Sequence, residues 1–356
     1  MNDSCHDFGL PQRQKVWKEF PMLRKIQQFL GTFVPAWLLV AYFAVLVCML
    51  NRWDGLVMIT LVPIWAWAAG GMLAALISWL LFRGTPAIVV FCLCFVTGVA
   101  SSEETHSLLR KLNSIVGSAK ISDEGSTIIT IINVNCGGTE APLSRIATEG
   151  ADIITIQNAP SKESLVTLKN ELFGESYSLL VNRSNAIIAK GKIIEEIREP
   201  ESSTLHARLN HPSKRIFDIT TVDLNYCIPR KDMWQPKVWK QLTEVRIQNR
   251  RLIRSYLGEN KIKKKNVIRV VTGGFNTPPR DDVFRPLMTN SLKDVFIESG
   301  LGWGNTYPSD YPNLRLDQIW VSDELEPQSA RARVNPDAFH RTVVAKLAIP
   351  ATKPGP

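Results

Sequence analysis

The sequence predicts an α/β fold, a two-sheet α/β sandwich, preceded by N-terminal transmembrane helices. Two observations support this prediction. The first hundred residues contain long apolar stretches without charge, whereas the remaining residues alternate short β-branched runs with helical stretches. In this second part the strands outnumber the helices, which is typical of two sheets packed face to face with helices on their outer faces.

Three apolar segments define a membrane region over residues 29–100. The stretches Phe29 to Leu50 and Gly55 to Phe82 carry no charge, and each is long enough to cross roughly 30 Å of hydrocarbon. The third, Ala87 to Ala100, is shorter, so we expect two to three transmembrane helices. Because these segments follow one another and the first begins late, a cleaved signal peptide is not expected.

The flanking charges predict the orientation of the chain. Residues 1–28 form a basic tail, whereas the loop from Asn51 to Asp54 carries one Arg and one Asp. Basic residues flanking a span favour the cytoplasmic side, so we expect an integral membrane protein with a cytoplasmic N-terminus. If all three segments cross, the soluble domain lies on the extracytoplasmic side, which is the side we predict. If the third is only interfacial, the domain stays in the cytoplasm.

The composition leaves two further questions open. Of the six cysteines, only Cys136 and Cys227 belong to the soluble part. Two buried thiols are favoured over a disulfide, and their spacing is not that of metal ligands. The chain carries a net charge of +9. Its basic run from Lys261 to Lys265 reads as a solvated turn that near a membrane can also meet anionic headgroups.

Residues 104–350 are predicted to form one two-layered domain. Helices are expected at Ala141 to Glu149, Ser161 to Phe173 and Pro236 to Leu257, the last with Gly258 as its cap. The expected strands are short and mostly β-branched: Thr127 to Val134, Asp152 to Gln157, Tyr177 to Val181, Ala186 to Ala189, Thr204 to Leu209, Arg215 to Leu224, Val267 to Thr272, Arg315 to Val321 and Val343 to Ile349.

One stretch, Asn266 to Ser322, organises the functional interpretation. A continuous apolar strand ends in the turn Gly273-Gly274-Phe275-Asn276-Thr277-Pro278-Pro279. Such a Gly- and Pro-rich turn presents Asn276 at the carboxyl end of a strand, where sheet proteins commonly place chemistry. An aromatic loop and the strand containing Arg315-Leu316-Asp317 follow.

This series resembles the endonuclease/exonuclease/phosphatase superfamily, which has the DNase I-like fold and cleaves phosphoesters with Mg²⁺ or Mn²⁺. The first motif is similar at Thr130 to Val134, where Asn133 keeps the family residue. The second is similar at Asp152 to Asn158, but Asn158 stands where the family has its metal-binding Glu. In the third, the family His corresponds to Asp223 or to Asn225.

The last two motifs are also only partly kept. The family turn reads Gly-Asp-Phe-Asn, so Gly274 replaces an Asp that positions the attacking water, while Asn276 is retained. The closing motif, Ser-Asp-His in the family, corresponds to a stretch in which His340 survives and Phe339 replaces the Asp. Asp317, which orients this end of the site in the family, also survives.

The resemblance implies a site with retained positions Asn133, Asn276, Asp317 and His340, and it leaves two hypotheses. The first is a pseudoenzyme or phosphoester-binding module that uses no metal, because a neutral amide is a poor partner for Mg²⁺. The second is an active phosphatase or phosphodiesterase on a lipid-linked or membrane-proximal substrate, dependent on Mg²⁺ or Mn²⁺. The candidates for its substitute carboxylates are Asp223, Asp281, Asp282 and Asp317, and the sequence does not show whether they converge.

The expected partners are the membrane and a phosphate-containing ligand. A nuclease is less favoured, because much of the basic excess lies in the N-terminal tail and the lysine run, away from the motifs. With its acids replaced, the pocket is expected to accept phosphate or sulfate without metal, more readily as His340 becomes protonated below about pH 6.5. Asp317 is the expected counterweight, since it can pair with His340.

Overall fold

The computed structural model describes residues 21–116, 125–146, 149–197, 204–259, 267–335 and 337–350. The basic run at Lys261 to Lys265 and most of the N-terminal tail lie outside these ranges. The chain divides into two compact units: Met1–Asn51 with Val62–Ser102, and Arg52–Leu61 with Glu103–Pro356. The helices of eight or more residues are α1 (Pro21–Asn51), α3 (Ile64–Phe82), α4 (Thr85–Ser101), α5 (Glu103–Val116) and α8 (Pro236–Glu259). The shorter ones are α2 (Val57–Leu61), α6 (Ala141–Ile146), α7 (Lys162–Leu168), α9 (Arg285–Thr289) and α10 (Val295–Ser299).

The first unit contains the apolar helices. Two of them, over Lys25–Asn51 and Ile64–Phe82, are long and apolar enough to cross a membrane, and the count rises to three if α4 and the helix after it form one broken span. Small residues allow the helices to approach closely: a Cβ on Gly71 would come within 2.6 Å of Cys94 Sγ, and one on Gly98 within 2.7 Å of the Ala68 side chain. Such close approach is typical of helix packing in lipid.

The second unit is a sandwich of two six-stranded sheets. Its strands are β1 (Thr127–Asn135), β2 (Ile153–Gln157), β3 (Tyr177–Asn182), β4 (Asn185–Lys190), β5 (Lys192–Ile197), β6 (Thr204–Asn210), β7 (Ile216–Asp223), β8 (Val267–Gly274), β9 (Lys293–Asp294), β10 (Asp317–Val321), β11 (Glu326–Arg333) and β12 (Thr342–Ile349). One sheet has the order β11-β12-β1-β2-β4-β3 and the other β5-β6-β7-β8-β10-β9. The predicted sandwich is therefore confirmed.

Each sheet has a parallel pair at its centre, β1 with β2 and β7 with β8. The β-branched runs form these strands because both of their faces are covered. Ile129, Ile153 and Phe217 belong to the main core between the sheets, whereas Ile132 and Ile154 pack under the helices on the outer face. The parallel pairs matter for function, because the carboxyl ends of their strands lie at one edge of the sandwich.

Three strands escape the sequence prediction, and one helix end differs. Charges interrupt the apolar residues of β5 and β11, and β9 has only two residues, so none shows a continuous β-branched run. The long helix does not end before Gly258 but continues to Glu259. Cys136 and Cys227 are both free and buried, which confirms the expectation of two thiols, and burial raises the pKa of each to about 12.

Candidate functional site

The site lies where the ends of five strands meet. Across the second sheet, Gly274 at the end of β8 pairs on one side with Asp223 and on the other with Asp317. In the first sheet, Asn133 pairs with Thr155 on the neighbouring parallel strand. The topology thus brings Asp223, Gly274 and Asp317 into one row across three strands.

The retained His340 and Asp317 form a buried ion pair. His340 Nδ1 lies 2.7 Å from Asp317 Oδ2, and the ring of Tyr307 packs 4.9 Å from the imidazole. The backbone N–H of Asp317 donates to Thr306 Oγ1, which helps to fix the start of β10. Burial lowers the pKa of His340, but attraction to Asp317, its hydrogen bond and the nearby Asp223 together raise that pKa above its usual value.

Asp223 occupies the space that Gly274 leaves open. A Cβ built on Gly274 would lie 3.1 Å from Asp223 Oδ1. Asn276 Nδ2 donates to the same oxygen over 3.1 Å and to the carbonyl of Leu224 over 2.7 Å. Burial raises the pKa of Asp223 to about 6, although the hydrogen bond from Asn276 lowers it. The other candidate for the third motif, Asn225, is exposed.

The two parallel strands of the first sheet, β1 and β2, contribute amide and hydroxyl groups. Asn133 Oδ1 accepts hydrogen bonds from Gln157 Nε2 over 2.9 Å and from Thr155 Oγ1 over 3.0 Å. Gln157 Nε2 also donates to Thr221 Oγ1 over 2.8 Å, which ties this network to the second sheet. Asn158 follows with its Nδ2 donating to Asn135 Oδ1 over 3.2 Å. The side chains of this hydrogen-bonded network are therefore amides and a hydroxyl-bearing threonine pair, not carboxylates.

Several buried polar atoms in this site can still receive a ligand. Asn133 Nδ2, Gln157 Oε1, Asn276 Oδ1 and Asp317 Oδ1 are buried and have no hydrogen-bond partner among the residues that the structure describes. Buried polar groups are normally paired by protein or water, so atoms of this kind mark a place where water or a ligand completes the hydrogen bonding.

The residues present do not fit the Mg²⁺ or Mn²⁺ on which the family depends. Hard cations require several carboxylate oxygens. Asn158 is an amide, Gly274 has no side chain, and the Phe339 ring is 79% exposed instead of turning into the site. Within the described ranges no group of three or more His, Cys, Asp or Glu side chains is placed to hold a metal ion.

Two of the four substitute carboxylates lie elsewhere. Asp281 pairs with Arg246, and both side chains are almost fully buried. Asp282 pairs with Arg250, which also binds Asp54. Of the four carboxylates, Asp223 and Asp317 converge on Asn276 and His340, whereas arginines within the same unit neutralise Asp281 and Asp282.

Sequence reasoning missed two site neighbours. Tyr307 packs on His340, and Tyr226 lies close enough to Asp223 and Asp317 that burial and these carboxylates raise its pKa. Tyr226 could have been predicted from the sequence, because it lies three residues after the end of β7, at the strand ends that form the site. Tyr307 belongs to a loop whose path cannot be read from periodicity.

The two-sheet sandwich and the cluster of carboxylate, imidazole and amide groups at its edge define a DNase I-like phosphoesterase fold. The model of the endonuclease/exonuclease/phosphatase family matches residues 132–343, which is more than half of the chain. The chain belongs to this family.

Solved structures of low sequence identity are similar to this chain. An endonuclease/exonuclease/phosphatase family protein from Bacteroides thetaiotaomicron is 14% identical, with 63% of this chain and 99% of that chain covered and a TM-score of 0.49. A protein of the same description from Bacteroides vulgatus is 16% identical over 63% and 100% of the two chains, with a TM-score of 0.48. The mannosyl-6-phosphatase of Bacteroides thetaiotaomicron is 14% identical over 62% and 99%, with a TM-score of 0.48. No curated protein matches the sequence.

Proposed function

We propose that this protein is a membrane-anchored member of the family that binds a phosphate-containing ligand and has lost metal-dependent hydrolysis. One observation carries the proposal: Asn158, Gly274 and Phe339 stand at the positions that resemble the family's metal and base positions, within an otherwise complete fold. Loss of a positioned general base alone typically costs about 10²- to 10⁴-fold in rate. Without the carboxylates that hold the metal, the usual mechanism has neither its cation nor its base.

The remaining charges support binding that depends on pH. At pH 5.5 Asp223, with a pKa of about 6, is largely protonated, and His340 carries a positive charge that offsets Asp317. At pH 8 Asp223 is ionised, and the site becomes net negative. A phosphate or phosphomonoester therefore binds better at the lower pH, with Asn133 Nδ2 and the imidazolium as the donors that face it.

The test of this proposal combines binding and turnover on the full chain in detergent micelles. Calorimetry with Mn²⁺ and with Mg²⁺ is expected to show no saturable binding, and bis(p-nitrophenyl) phosphate is expected to remain uncleaved. Phosphate in EDTA is expected to bind at pH 5.5 and more weakly at pH 8. Metal-dependent turnover that disappears in His340→Ala would overturn the proposal, as would an absence of phosphate binding at both pH values.

A second candidate, an active hydrolase with a rearranged site, is favoured by one observation. Asp223 lies directly beside Gly274, so a carboxylate is present one strand away from the position where the family has its Asp. In this alternative Asp223, with its raised pKa, acts as the general base on a lipid-linked or membrane-proximal phosphoester. Turnover that is lost in Asp223→Asn but kept in Asn225→Ala would establish it.

We also propose that the domain is extracytoplasmic and that the chain crosses the membrane three times. The segment Arg52–Leu61 lies between the candidate spans α1 and α3 and folds into the second unit. There Arg246 donates a hydrogen bond to Thr60, and Thr243 donates one to the Asp54 carbonyl. A segment folded into the domain lies on the same side of a membrane as the domain. Since α3 leaves that side, α4 has to return to it.

Protease protection tests this topology. The full chain is tagged at both ends and placed in sealed vesicles whose cytoplasmic face points inward. We expect added protease to remove the C-terminal tag and to leave the N-terminal tag intact. Protection of both tags would mean that α4 does not cross, which contradicts the proposal.

A further inference from the structure

The helix α5 presents two faces of opposite character. One face is held on the domain: Arg110 donates to the carbonyls of Gly300 and Phe296, and the Ser107 carbonyl accepts from Gly302 N–H. At the first turn, Glu103 forms an ion pair with the buried Arg315. These contacts fix the rotation of the helix about its axis.

The opposite face exposes large apolar side chains. They are Leu108, Leu109, Leu112 and Ile115, with exposed fractions from 41% to 72%. Their spacing places them on one side of a helix, away from Ser107 and Arg110. A contiguous apolar stripe of this kind on a water-exposed helix normally marks a surface that is covered by a partner or a membrane.

The direct connection between α4 and α5 indicates what covers the apolar face of α5. The helix begins at Glu103, one residue after a buried Ser102 and two residues after the end of α4, the helix proposed above to cross the membrane. Since α4 is proposed to cross the membrane, its end lies at the level of the headgroups, and the first turn of α5 lies there too. The loop Arg52–Leu61, flanked by the other two candidate spans, folds into the same unit and gives a second point of attachment.

The start of α5 and the loop Arg52–Leu61, the two points of attachment, both lie next to the functional site. Leu61 and Val57 pack in one cluster with Cys227, whose N–H donates to the Asn276 carbonyl. On the other side, Asn305 Nδ2 lies 3.3 Å from Glu104 of the helix, and the adjacent Thr306 accepts from the backbone of Asp317.

The loops at the mouth of the site carry exposed aromatic rings. Tyr311 is 85% exposed and Phe339 is 79% exposed. The two loops are joined, since the Ser309 N–H donates to the Phe339 carbonyl. Tyrosine is enriched at the interface between lipid and water, and phenylalanine is among the apolar residues that interfacial segments bury there. These two exposed rings therefore suit a site that opens toward headgroups.

We infer that the apolar face of α5 lies in the interfacial layer of the bilayer and brings the mouth of the site, marked by Phe339, to the lipid headgroups. This inference rests on the proposed membrane anchoring but not on the loss of hydrolysis. It assigns the ligand to the headgroup of a membrane lipid, which an amphipathic helix fixed on the domain presents to the site.

Photocrosslinking of the full chain in lipid nanodiscs tests the inference. The photoreactive amino acid benzoylphenylalanine replaces Leu112 in one variant and Phe339 in another, with Tyr311 as a second position at the mouth and the half-exposed Val166 on α7 as the control. All four side chains are exposed, so the replacements disturb little packing. Mass spectrometry then identifies what each probe has captured.

We expect lipid adducts at Leu112 and at the mouth, and at least tenfold fewer at Val166. Adducts to a second copy of the chain at Leu112 would overturn the inference, because a protein partner would then cover the helix. Equal lipid capture at Val166, or none at both mouth positions, would also overturn it. These outcomes are independent of metal binding and turnover, so they are distinguishable from a failure of the proposed loss of hydrolysis.

Discussion

Two pairs of carboxylates, all buried except the half-buried Asp223, lie in the same unit and have opposite surroundings. Asp281 and Asp282 face the arginines Arg246 and Arg250, with which they form ion pairs. Asp223 accepts a hydrogen bond from the Asn276 amide, which leaves its charge unneutralised. Asp317 pairs with the imidazole of His340, a group that gains or loses a proton. Proximity to the motifs therefore does not by itself make a carboxylate a candidate ligand. A carboxylate paired with a buried arginine stabilises the fold, whereas one beside an amide or an imidazole remains available for binding or proton transfer.

The largest expected effect concerns the arginine-paired carboxylates. Arg246→Met leaves Asp281 buried without its partner, and breaking a buried ion pair on one side typically costs about 3–5 kcal/mol. Arg246→Met/Asp281→Asn removes both charges and keeps an oxygen to accept from Val283 N–H, so it is expected to recover much of that loss. Chemical denaturation of the full chain in detergent measures both. Equal stability of the single and double variants would contradict a structural ion pair.

A smaller effect is expected at the imidazole pair. Asp317→Asn removes the charge that raises the pKa of His340, so that pKa falls. The raised pKa stabilises the fold at low pH, and this contribution is lost as the pH rises through the folded-state pKa. A hydrogen bond to a charged group contributes about 1.5–3 kcal/mol, which sets the expected loss at pH 5.5. Histidine NMR titration checks the shift; an unchanged His340 pKa would show that Asp317 does not control it.

A still smaller effect is expected for Asp223→Asn. Because the pKa of Asp223 is raised to about 6 in the folded state, the native protein holds this proton more tightly than the unfolded chain. The parent chain therefore loses stability as the pH rises from about 4 to 6, and the variant is expected to lack this loss. Phosphate affinity at pH 8 should rise by about threefold to tenfold, as expected for removal of one nearby charge in a partly solvated site. Identical pH profiles for the two proteins would place Asp223 outside the ligand site.

The smallest effect is expected for Asn225→Ala, which is the matched control for Asp223→Asn. Asn225 is the other residue that could fill the third motif, and it is exposed. Asn225→Ala is expected to change the free energy of unfolding by no more than about 0.5 kcal/mol and to leave phosphate affinity unaltered. An effect on affinity as large as that of Asp223→Asn would reverse the assignment of the third motif.

The sequence was sufficient for the sandwich, because continuous β-branched runs and the turn at Asn276 mark buried strands and their ends. The sequence also named Asp317 as the counterweight that can pair with His340, and the two side chains lie 2.7 Å apart. It could not separate Asp223 from Asp281, because only strand register places one of them beside Gly274. The edge strand β11 was missed because its charged residues carry no apolar run.

The central claim, that the site no longer assembles a metal centre, is tested most directly by Mn²⁺ binding. The unchanged chain is titrated beside Asn158→Asp, a variant of nearly equal size that the left-handed backbone at φ 45° tolerates. The account predicts no saturable Mn²⁺ binding to the unchanged chain, and measurably tighter binding to the variant that regains a carboxylate. Saturable binding to the unchanged chain, accompanied by phosphodiester hydrolysis that is lost in Asp223→Asn, would contradict it.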